Sequence, residues 1–256
     1  MCTVTIIPLP AGGFRVACNR DESCARPAAL PPLLSWAGDV RAMMPIDPLA
    51  GGTWIAATDR GISFALLNYN ATGSTSRKTP PASRGTIIPF LTECRALSDV
   101  YTRIASLRSN RFDPFRLLVI ASGGVVEFLS DATTIARRAL SHDIRKPLLF
   151  TSSGLGDEVV EPPRRELFDA TLGREPTAER QDIFHRHRWP DRPHLSVCMS
   201  RADAGTVSYT TVEMRPTCAT MHYWPAPPDE AVAGRSTVRR IPLIARNGLL
   251  VPAGCV

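Results

Sequence analysis

The sequence predicts an α+β protein, because strand-like and helix-like patterns both occur along its 256 residues. β-Branched side chains fill positions 3–7, Pro-Ala-Gly-Gly at 10–13 predicts a turn, and 14–18 returns as a second strand. Apolar residues then recur at helical spacing within 84–107. These observations predict an N-terminal hairpin and a core-facing helix. Periodicity alone predicts mixed α and β structure and does not fix the architecture.

The same two patterns predict the other elements in chain order. A second hairpin is expected from 54–58 and 62–68 around an Asp-Arg-Gly turn, which places Asn68 at the end of a strand. The remaining predicted elements are strands at 115–121, 125–130 and 148–152, helices at 164–172 and 178–187, and strands at 195–199, 207–212 and 221–224.

Cys2 is the residue with the most direct chemical meaning. If Met1 is removed, the thiol and the free α-amine belong to the same residue. An α-amine titrates near about 7.7 to 8.0, so it can act as a general base at neutral pH. Cysteine is small enough at this position to leave the initiator methionine open to aminopeptidase. Cys2 is therefore a candidate N-terminal nucleophile, although a cysteine at the second position is more often inert.

The register of the N-terminal hairpin decides which side chains lie beside Cys2. A turn centred between Ala11 and Gly12 places Asp21 opposite Cys2 and Asn19 on the same face. A register shifted by one residue would place Arg20 there instead. We expect the first register.

Four ordered motifs are similar to those of a known family. They are Met-Cys at the start, Asn-Arg-Asp-Glu at 19–22 with Arg-Pro at 26–27, Gly-Gly-Thr-Trp at 51–54 and Leu-Asn-Tyr at 67–69. The chain resembles the transport and Golgi organisation family, also called the Asn-Arg-Asp-Glu family, over residues 1–224. That family is similar in turn to choloylglycine hydrolases and acid amidases. The resemblance implies a four-layer αββα sandwich of antiparallel sheets, the N-terminal nucleophile hydrolase fold.

The resemblance also implies roles for three residues. Cys2 matches the nucleophile, Asp21 the aspartate that holds the α-amino group, and Asn68 the asparagine that helps to build the oxyanion hole. An amide N–H directed at a tetrahedral oxyanion is worth about 2.7 to 4 kcal/mol. Without the resemblance, Asn68 would equally suit a strand end, and Asp21 a surface ion pair.

Two positions depart from the pattern of the relatives. Choloylglycine hydrolases have an arginine where this chain has Cys18, so a cation beside the substrate must come from elsewhere, with Arg20 as the candidate. Ser152 occupies a position where the relatives usually have an asparagine, and a hydroxyl can donate only one hydrogen bond. Arg201 matches a late active-site arginine, or else a solvated turn residue. Asn19, Arg20, Ser152 and Arg201 are therefore predicted as supporting residues.

Two functions fit these residues. The first is a cysteine amidohydrolase that cleaves a linear, non-peptide amide C–N bond through a Cys2 acyl-enzyme. The second is a non-catalytic protein that binds or carries a small molecule in the same cleft, with lipid and haem as ligands suggested by family association. A retained Met1 favours the carrier, and a free Cys2 amine favours the enzyme.

Composition restricts the class of partner. The net charge is +6 and the pI about 9.2, but the positive charge is almost entirely arginine and is dispersed along the chain. No recognition helix, aromatic binding strand or phosphate-binding loop accompanies it, so we expect no nucleic acid. We expect instead a small-molecule ligand, anionic or acylated, and no cofactor. The sequence does not predict an oligomeric state.

Cysteine and histidine positions argue against a disulfide framework and a metal site. The seven cysteines are scattered and odd in number, so reduced thiols are expected. His185, His187 and His194 lie among arginines and prolines and are predicted to form an exposed basic loop. There is no membrane-length apolar run and no signal-peptide pattern, and we expect a cytoplasmic protein. We expect one domain over 1–228 and a basic tail over 229–256 that could dock on it.

Overall fold

A computed structural model describes residues 2–70, 81–141, 144–230 and 235–244. Its strands are β1 (Cys2–Pro8), β2 (Phe14–Ser23), β3 (Leu30–Ala37), β4 (Val40–Ile46), β5 (Ile55–Thr58), β6 (Ser63–Asn68), β7 (Phe115–Ala121), β8 (Gly124–Ser130), β9 (Ile135–Ser141), β10 (Leu148–Thr151), β11 (Ala204–Met214), β12 (Cys218–Trp224) and β13 (Thr237–Pro242). Its α-helices are α1 (Ile87–Leu91), α2 (Leu97–Ala105), α3 (Asp157–Leu172) and α4 (Ala178–Arg186). None of the described helices is long and apolar enough to cross a membrane.

The strands form two antiparallel sheets. The first sheet has the order β10-β1-β2-β11-β12-β13, and the second has the order β3-β4-β5-β6-β7-β8-β9. Because β1 and β2 lie inside the first sheet, both edges of this hairpin are paired, β1 with β10 and β2 with β11. The hairpin that carries Cys2 is therefore held on both sides by backbone hydrogen bonds.

Three apolar layers hold the sheets and helices together. Val4 and Val16 of the first sheet pack against residues such as Ile55 and Leu118 of the second, which forms the core between the sheets. A second cluster joins the outer face of the second sheet to α1 and α2. A third joins β1 and β10 to α3 and α4. Helices thus cover both outer faces, and the predicted αββα sandwich is the fold of this chain.

The N-terminal hairpin has the shifted register. Cys2 pairs with Arg20, and Thr3 pairs with Asn19. The expected pairing of Cys2 with Asp21 is wrong because three residues, 10–12, lie between the paired Leu9 and Gly13, whereas that register requires four, 10–13. Leu9 N–H donates to the Gly13 carbonyl at 3.1 Å, and Gly13 occupies the left-handed region with φ of 88°. A Cβ at Gly13 would lie 1.9 Å from the Met214 carbonyl oxygen, so glycine is required there.

This register directs alternate side chains of the hairpin to opposite faces of the sheet. Cys2, Val4 and Cys18 belong to the apolar cluster between the sheets. Asn19 faces the helices, where its amide donates to the carbonyl oxygens of His185 and Val197, each at 2.9 Å.

His185 joins α4 to this hairpin through a buried polar network. Its Nε2 lies 2.7 Å from the Thr5 hydroxyl, and its Nδ1 lies 2.9 Å from Asn19 Oδ1. Because the amide oxygen can only accept, Nδ1 carries the proton and the hydroxyl donates to Nε2. The prediction of an exposed loop is wrong for His185, since the strand–helix contact excludes water from its ring.

Other differences from the sequence expectations have local causes. The stretch 84–107 is divided into a 3-10 turn (Arg84–Thr86), α1 and α2, with Asp99 accepting from the backbone N–H groups of Arg95 and Ala96 at the new helix start. Residues 195–199 form turns rather than a strand. Helix α3 begins at Asp157, before its two prolines, and α4 ends at Arg186.

The segment 229–256 contributes a strand to the sandwich. Strand β13 pairs with β12, with Ile241 opposite Ala219 in the core between the sheets. Residues 231–234 and 245–256 of this segment lie outside the described residues.

The buried His185 predicts a pH-dependent stability. Burial, together with the positive charge of Arg15, holds the pKa of His185 well below its usual value. Below about pH 6.5 the unfolded chain therefore binds a proton that the folded chain does not, and stability is lost as the pH falls. Lowering the pH from 7.0 to 5.5 should reduce the free energy of unfolding by about 1 kcal/mol through this group alone. Urea unfolding at the two pH values measures it.

His185→Gln should remove that part of the pH dependence, whereas a substitution of the exposed His194 by Gln should leave it unchanged. An equal pH dependence of the free energy of unfolding in the wild type and in His185→Gln would show that the buried imidazole does not cause the loss of stability at low pH.

Candidate active site

A cavity of about 370 Å³ opens beside Cys2 at the N-terminal end of β1. It is lined by residues from 20–26 of the first sheet and its following loop, from the 47–54 loop, from the end of β6 and from the 81–85 segment, and by Asp113. Polar and charged side chains supply most of this lining. Among the predicted site residues, the lining includes Cys2, Arg20, Asp21 and Asn68.

The Cys2 thiol is buried next to the thiol of Cys18. The two residues are two positions apart along the paired strands and face the same side of the sheet. A hydrogen bond from the Cys18 thiol lowers the pKa of Cys2 below its ordinary value, because it stabilises the thiolate more than burial disfavours it. The same contact and burial hold the pKa of Cys18 well above its ordinary value. Cys2 is thus the thiol of this pair that ionises first.

The backbone of Cys2 is fixed by Ser152. The Cys2 nitrogen donates to Ser152 Oγ at 3.2 Å, and the Ser152 N–H donates to the Cys2 carbonyl at 3.0 Å. Ser152 does not line the cavity. Its hydroxyl contacts the atom that would become the α-amine after removal of Met1, a residue that lies outside the described part of the chain. Ser152 is therefore placed to orient that nitrogen.

Asp21 lies at the back of the cavity and is almost inaccessible to solvent. The Thr206 hydroxyl donates to its Oδ1 at 2.6 Å. Burial raises the pKa of Asp21, although Arg164, Thr206 and Arg201 all act in the opposite direction. The side chain of Asp21 thus has a fixed position near the N-terminus of β1.

Arg164 supports this region from the helix side. It is 1% exposed and donates to the hydroxyls of Thr3 and Thr151, at 2.9 and 2.5 Å. It also donates to the carbonyl oxygens of Leu195 and Ser196, at 2.9 and 2.7 Å. Because all of these acceptors are neutral, the positive charge of Arg164 remains available to the Asp21 carboxylate.

Asn68 ends β6 and reaches the cavity from the second sheet. Its backbone pairs with Phe115, and its side-chain amide makes no hydrogen bond to another residue in the described part of the chain. An amide with free donors on the same cavity as a nucleophile is suited to stabilising an oxyanion. The sequence expectation that Asn68 lies at a strand end near Cys2 is met by this geometry.

Arg20 forms one charged wall of the cavity. Its Nη2 lies 2.8 Å from Asp47 Oδ2 and 3.6 Å from a Glu22 oxygen, and its guanidinium lies 4.3 Å from the centre of the Trp54 ring. Arg26 contacts the same two carboxylates, at 2.7 and 3.6 Å. These two arginines are therefore largely neutralised by Asp47 and Glu22.

Like Ser152, two other predicted supporting residues, Asn19 and Arg201, do not line the cavity. Asn19 faces the helix layer, because the shifted register turns it away from Cys2. Arg201 forms an ion pair with Asp203 at 3.2 Å and influences the site only through its charge near Asp21.

Sequence reasoning did not identify Asp47 and Arg84 as part of the cavity. The sequence carries no signal for Arg84, because its segment reaches the site through contact between two glycines that are far apart in the chain. Thr53 N–H donates to the Gly85 carbonyl at 3.0 Å, and a Cβ at Gly52 would lie 2.4 Å from the Gly85 carbonyl carbon. The Gly-Gly-Thr-Trp motif therefore packs directly against the Arg84-Gly85 backbone.

Within the described residues, no group of three His, Cys, Asp or Glu side chains is placed to hold a metal ion. The six described cysteines, Cys2, Cys18, Cys24, Cys94, Cys198 and Cys218, are free thiols.

Solved structures with the same fold are N-terminal nucleophile hydrolases. An N-acylethanolamine-hydrolyzing acid amidase ortholog from Caenorhabditis elegans has a TM-score of 0.56 and 15% identity, covering 82% of this chain and 92% of that chain. Penicillin V acylase from Agrobacterium tumefaciens has a TM-score of 0.52 and 11% identity, covering 94% and 86%. The C2A mutant of conjugated bile acid hydrolase from Clostridium perfringens has a TM-score of 0.52 and 10% identity, covering 94% and 92%. These likenesses show the fold.

A comparison with curated protein sequences found no match. The family profile described as Transport and Golgi organisation 2 matches residues 1–161, which include Cys2, Asp21, Asn68 and the glycine pair. The chain therefore belongs to the Transport and Golgi organisation 2 family and has the N-terminal nucleophile hydrolase fold.

Proposed function

We propose that this protein is a cysteine amidohydrolase that cleaves a linear, non-peptide amide C–N bond through a Cys2 acyl-enzyme. The observation that carries the proposal is the convergence of Cys2 and Asn68 on one cavity from two different sheets. A hydrogen bond from the Cys18 thiol lowers the pKa of the Cys2 thiol, and the Asn68 amide donates to no other residue in the described part of the chain. The solved structures of this fold include amidases and acylases, which supports an amide substrate.

The reaction starts with removal of Met1. The Cys2 nitrogen then becomes an α-amine, already 3.2 Å from Ser152 Oγ and near the charge of Asp21. Cys2 Sγ attacks the amide carbonyl, and the carbonyl electrons move to the oxygen as the C–S bond forms. The Asn68 amide and a backbone N–H donate to that oxyanion.

The α-amine moves the proton that the reaction requires. It accepts the proton of the attacking thiol and delivers it to the leaving nitrogen, so that the C–N bond breaks and the amine departs. A water molecule, deprotonated by the same amine, then attacks the thioester and releases the carboxylic acid. The thiolate regains its proton, which completes the cycle.

The cavity volume of about 370 Å³ fits a small molecule. Its lining has four carboxylates and three arginines, and the arginines offer donors to an anionic or acylated ligand. The alternative is a non-catalytic carrier that binds a lipid or haem in this cavity. The two proposals differ in their need for the Cys2 sulfur, since a carrier would retain its ligand without it.

Cys2→Ser should abolish turnover of amide substrates, at least a 100-fold loss of kcat, because the weaker hydroxyl nucleophile replaces a thiol with a lowered pKa. Release of amine from a panel of N-acyl amides measures this. The exposed Cys24 gives the matched control, and its substitution by Ala should leave the rate unchanged.

Cys18→Ala should remain active, with the rising limb of its pH–rate profile moved to higher pH, because the hydrogen bond that lowers the Cys2 pKa is lost.

Equal turnover in the wild type and in Cys2→Ser would refute the proposed mechanism.

Asn68→Ala should lower kcat by about 100-fold or more while changing KM little, since the oxyanion exists only during the reaction. Steady-state kinetics with one substrate separate the two constants. Asn70, which lies close by and bonds to Asp157 at 3.1 Å, provides the control through Asn70→Ala. A rise in KM alone would instead assign Asn68 to substrate binding.

A further inference from the structure

The charges that line the cavity are unevenly paired. Arg20 and Arg26 each contact both Asp47 and Glu22, so two cations meet two carboxylates on that side. Arg84 is the third arginine of the lining, which also includes the carboxylates of Asp21 and Asp113. It has no carboxylate within ion-pair distance among the described residues, and its only described hydrogen bond runs from Nη1 to the Pro114 carbonyl at 3.0 Å.

Arg84 is also shielded from water. Burial lowers its pKa, although nearby negative groups, with Asp113 the strongest and Cys2 next, partly offset that effect. Asp113 also lines the cavity, but it lies beyond ion-pair distance of this guanidinium. A guanidinium that is partly removed from water without a contacting carboxylate is costly, and an anionic ligand in contact with it would reduce that cost. The empty donors of Arg84 form a planar fork that matches a carboxylate.

The position of Arg84 is fixed by its backbone surroundings. The close approach of Gly52 to Gly85 locks the segment against the 47–54 loop, and the Pro114 carbonyl holds Nη1. Pro114 directly precedes Phe115, the ladder partner of Asn68, so the Arg84 guanidinium lies on the same side of the cavity as the Asn68 amide. Its charge also acts on the Cys2 thiol. An anion bound by Arg84 would therefore lie within a few bonds of a carbonyl group under attack at Cys2.

We propose that Arg84 is the specificity-determining residue of this cavity and that the substrates are amides with a carboxylate within a few bonds of the scissile C–N bond. This inference rests on the proposed function in treating the cavity as the substrate site. The carboxylate can belong to the amine part, as in an N-acylglycine, or to the acyl part, as in a monoamide of a dicarboxylic acid. Both present the same carboxylate to the guanidinium.

The test compares charged and neutral substrates of the same shape. Decanoylglycine and N-decylsuccinamic acid represent the two carboxylate positions, and decanoylglycinamide and the methyl ester of N-decylsuccinamic acid are their neutral partners. Wild-type protein should cleave at least one of the two acids with kcat/KM at least 10-fold above that of its neutral partner. Arg84→Met, which keeps length and loses charge, should reduce kcat/KM for that acid by 10- to 100-fold and change the neutral partner less than 3-fold.

A matched control is Arg111→Met, because Arg111 is exposed and does not line the cavity. It should leave kcat/KM unchanged for a charged substrate and for its neutral partner. Arg84→Lys should recover part of the preference, since it restores charge without the fork. Equal losses for acids and neutral partners in Arg84→Met, or no preference in the wild type, would overturn the inference.

Binding separates this inference from the proposed function. Calorimetric titration of Cys2→Ser with the same four compounds reports recognition without turnover. Arg84-dependent preference for the acids in binding, with no turnover by the wild type, would keep the inference and refute the hydrolase. Turnover by the wild type with no Arg84-dependent preference in either experiment would refute the inference and leave the proposed hydrolase function standing. Failure of both acids to bind would overturn the inference.

Discussion

The site depends on the pairing of β1 with β2 inside the first sheet. The Cys2–Arg20 register decides which side chains face the cavity and which face the helices. It brings the Cys18 thiol to Cys2 and turns Thr3, Thr5 and Asn19 toward buried partners on α3 and α4. Cys2, the first residue of β1, is held on one side by its pairing with Arg20 and on the other by two hydrogen bonds to Ser152. A reactive group close to a chain terminus needs such support.

The electrostatics of the cavity follow from burial in this frame. The Cys18 thiol stabilises a thiolate at Cys2 without introducing a charge, in a place where charge would have to be desolvated. Arg164 supplies positive charge behind Asp21 while its donors are satisfied by neutral acceptors. The ion pairs of Asp47 and Glu22 neutralise Arg20 and Arg26, whereas Arg84 has no carboxylate within ion-pair distance among the described residues and is influenced by Asp113 from further away.

Much of the fold could be predicted from local pattern. The hairpins around 10–13 and 59–61 follow from β-branched strands and glycine turns, and the pair of strands around Gly123 follows in the same way. The four-layer architecture came from family motifs, because periodicity does not reveal how sheets stack. The register of the first hairpin was missed because a glycine-rich turn accommodates one residue more or less without a sequence signal. That miss placed Asn19 in the site and left Cys18 out of it.

Candidate site residues could be predicted where the proposed chemistry requires a particular residue type. They could not be predicted where only tertiary packing brings a residue to the cavity. Cys2, Asp21 and Asn68 lie together as the motifs implied. Ser152 contacts the Cys2 nitrogen rather than the cavity, because its strand β10 pairs directly with β1. Arg84 could not be found from sequence, since it reaches the cavity through contact between glycines that are far apart in the chain.

The central claim is that Cys2 becomes an activated N-terminal nucleophile. The most direct measurement is the intact mass of untagged protein before and after brief exposure to a β-lactone, with the modified residue mapped by peptide sequencing. The account predicts loss of Met1 and a single acyl adduct on Cys2, with the exposed Cys24 unmodified. Retention of Met1, or labelling that is spread over several thiols, would contradict it.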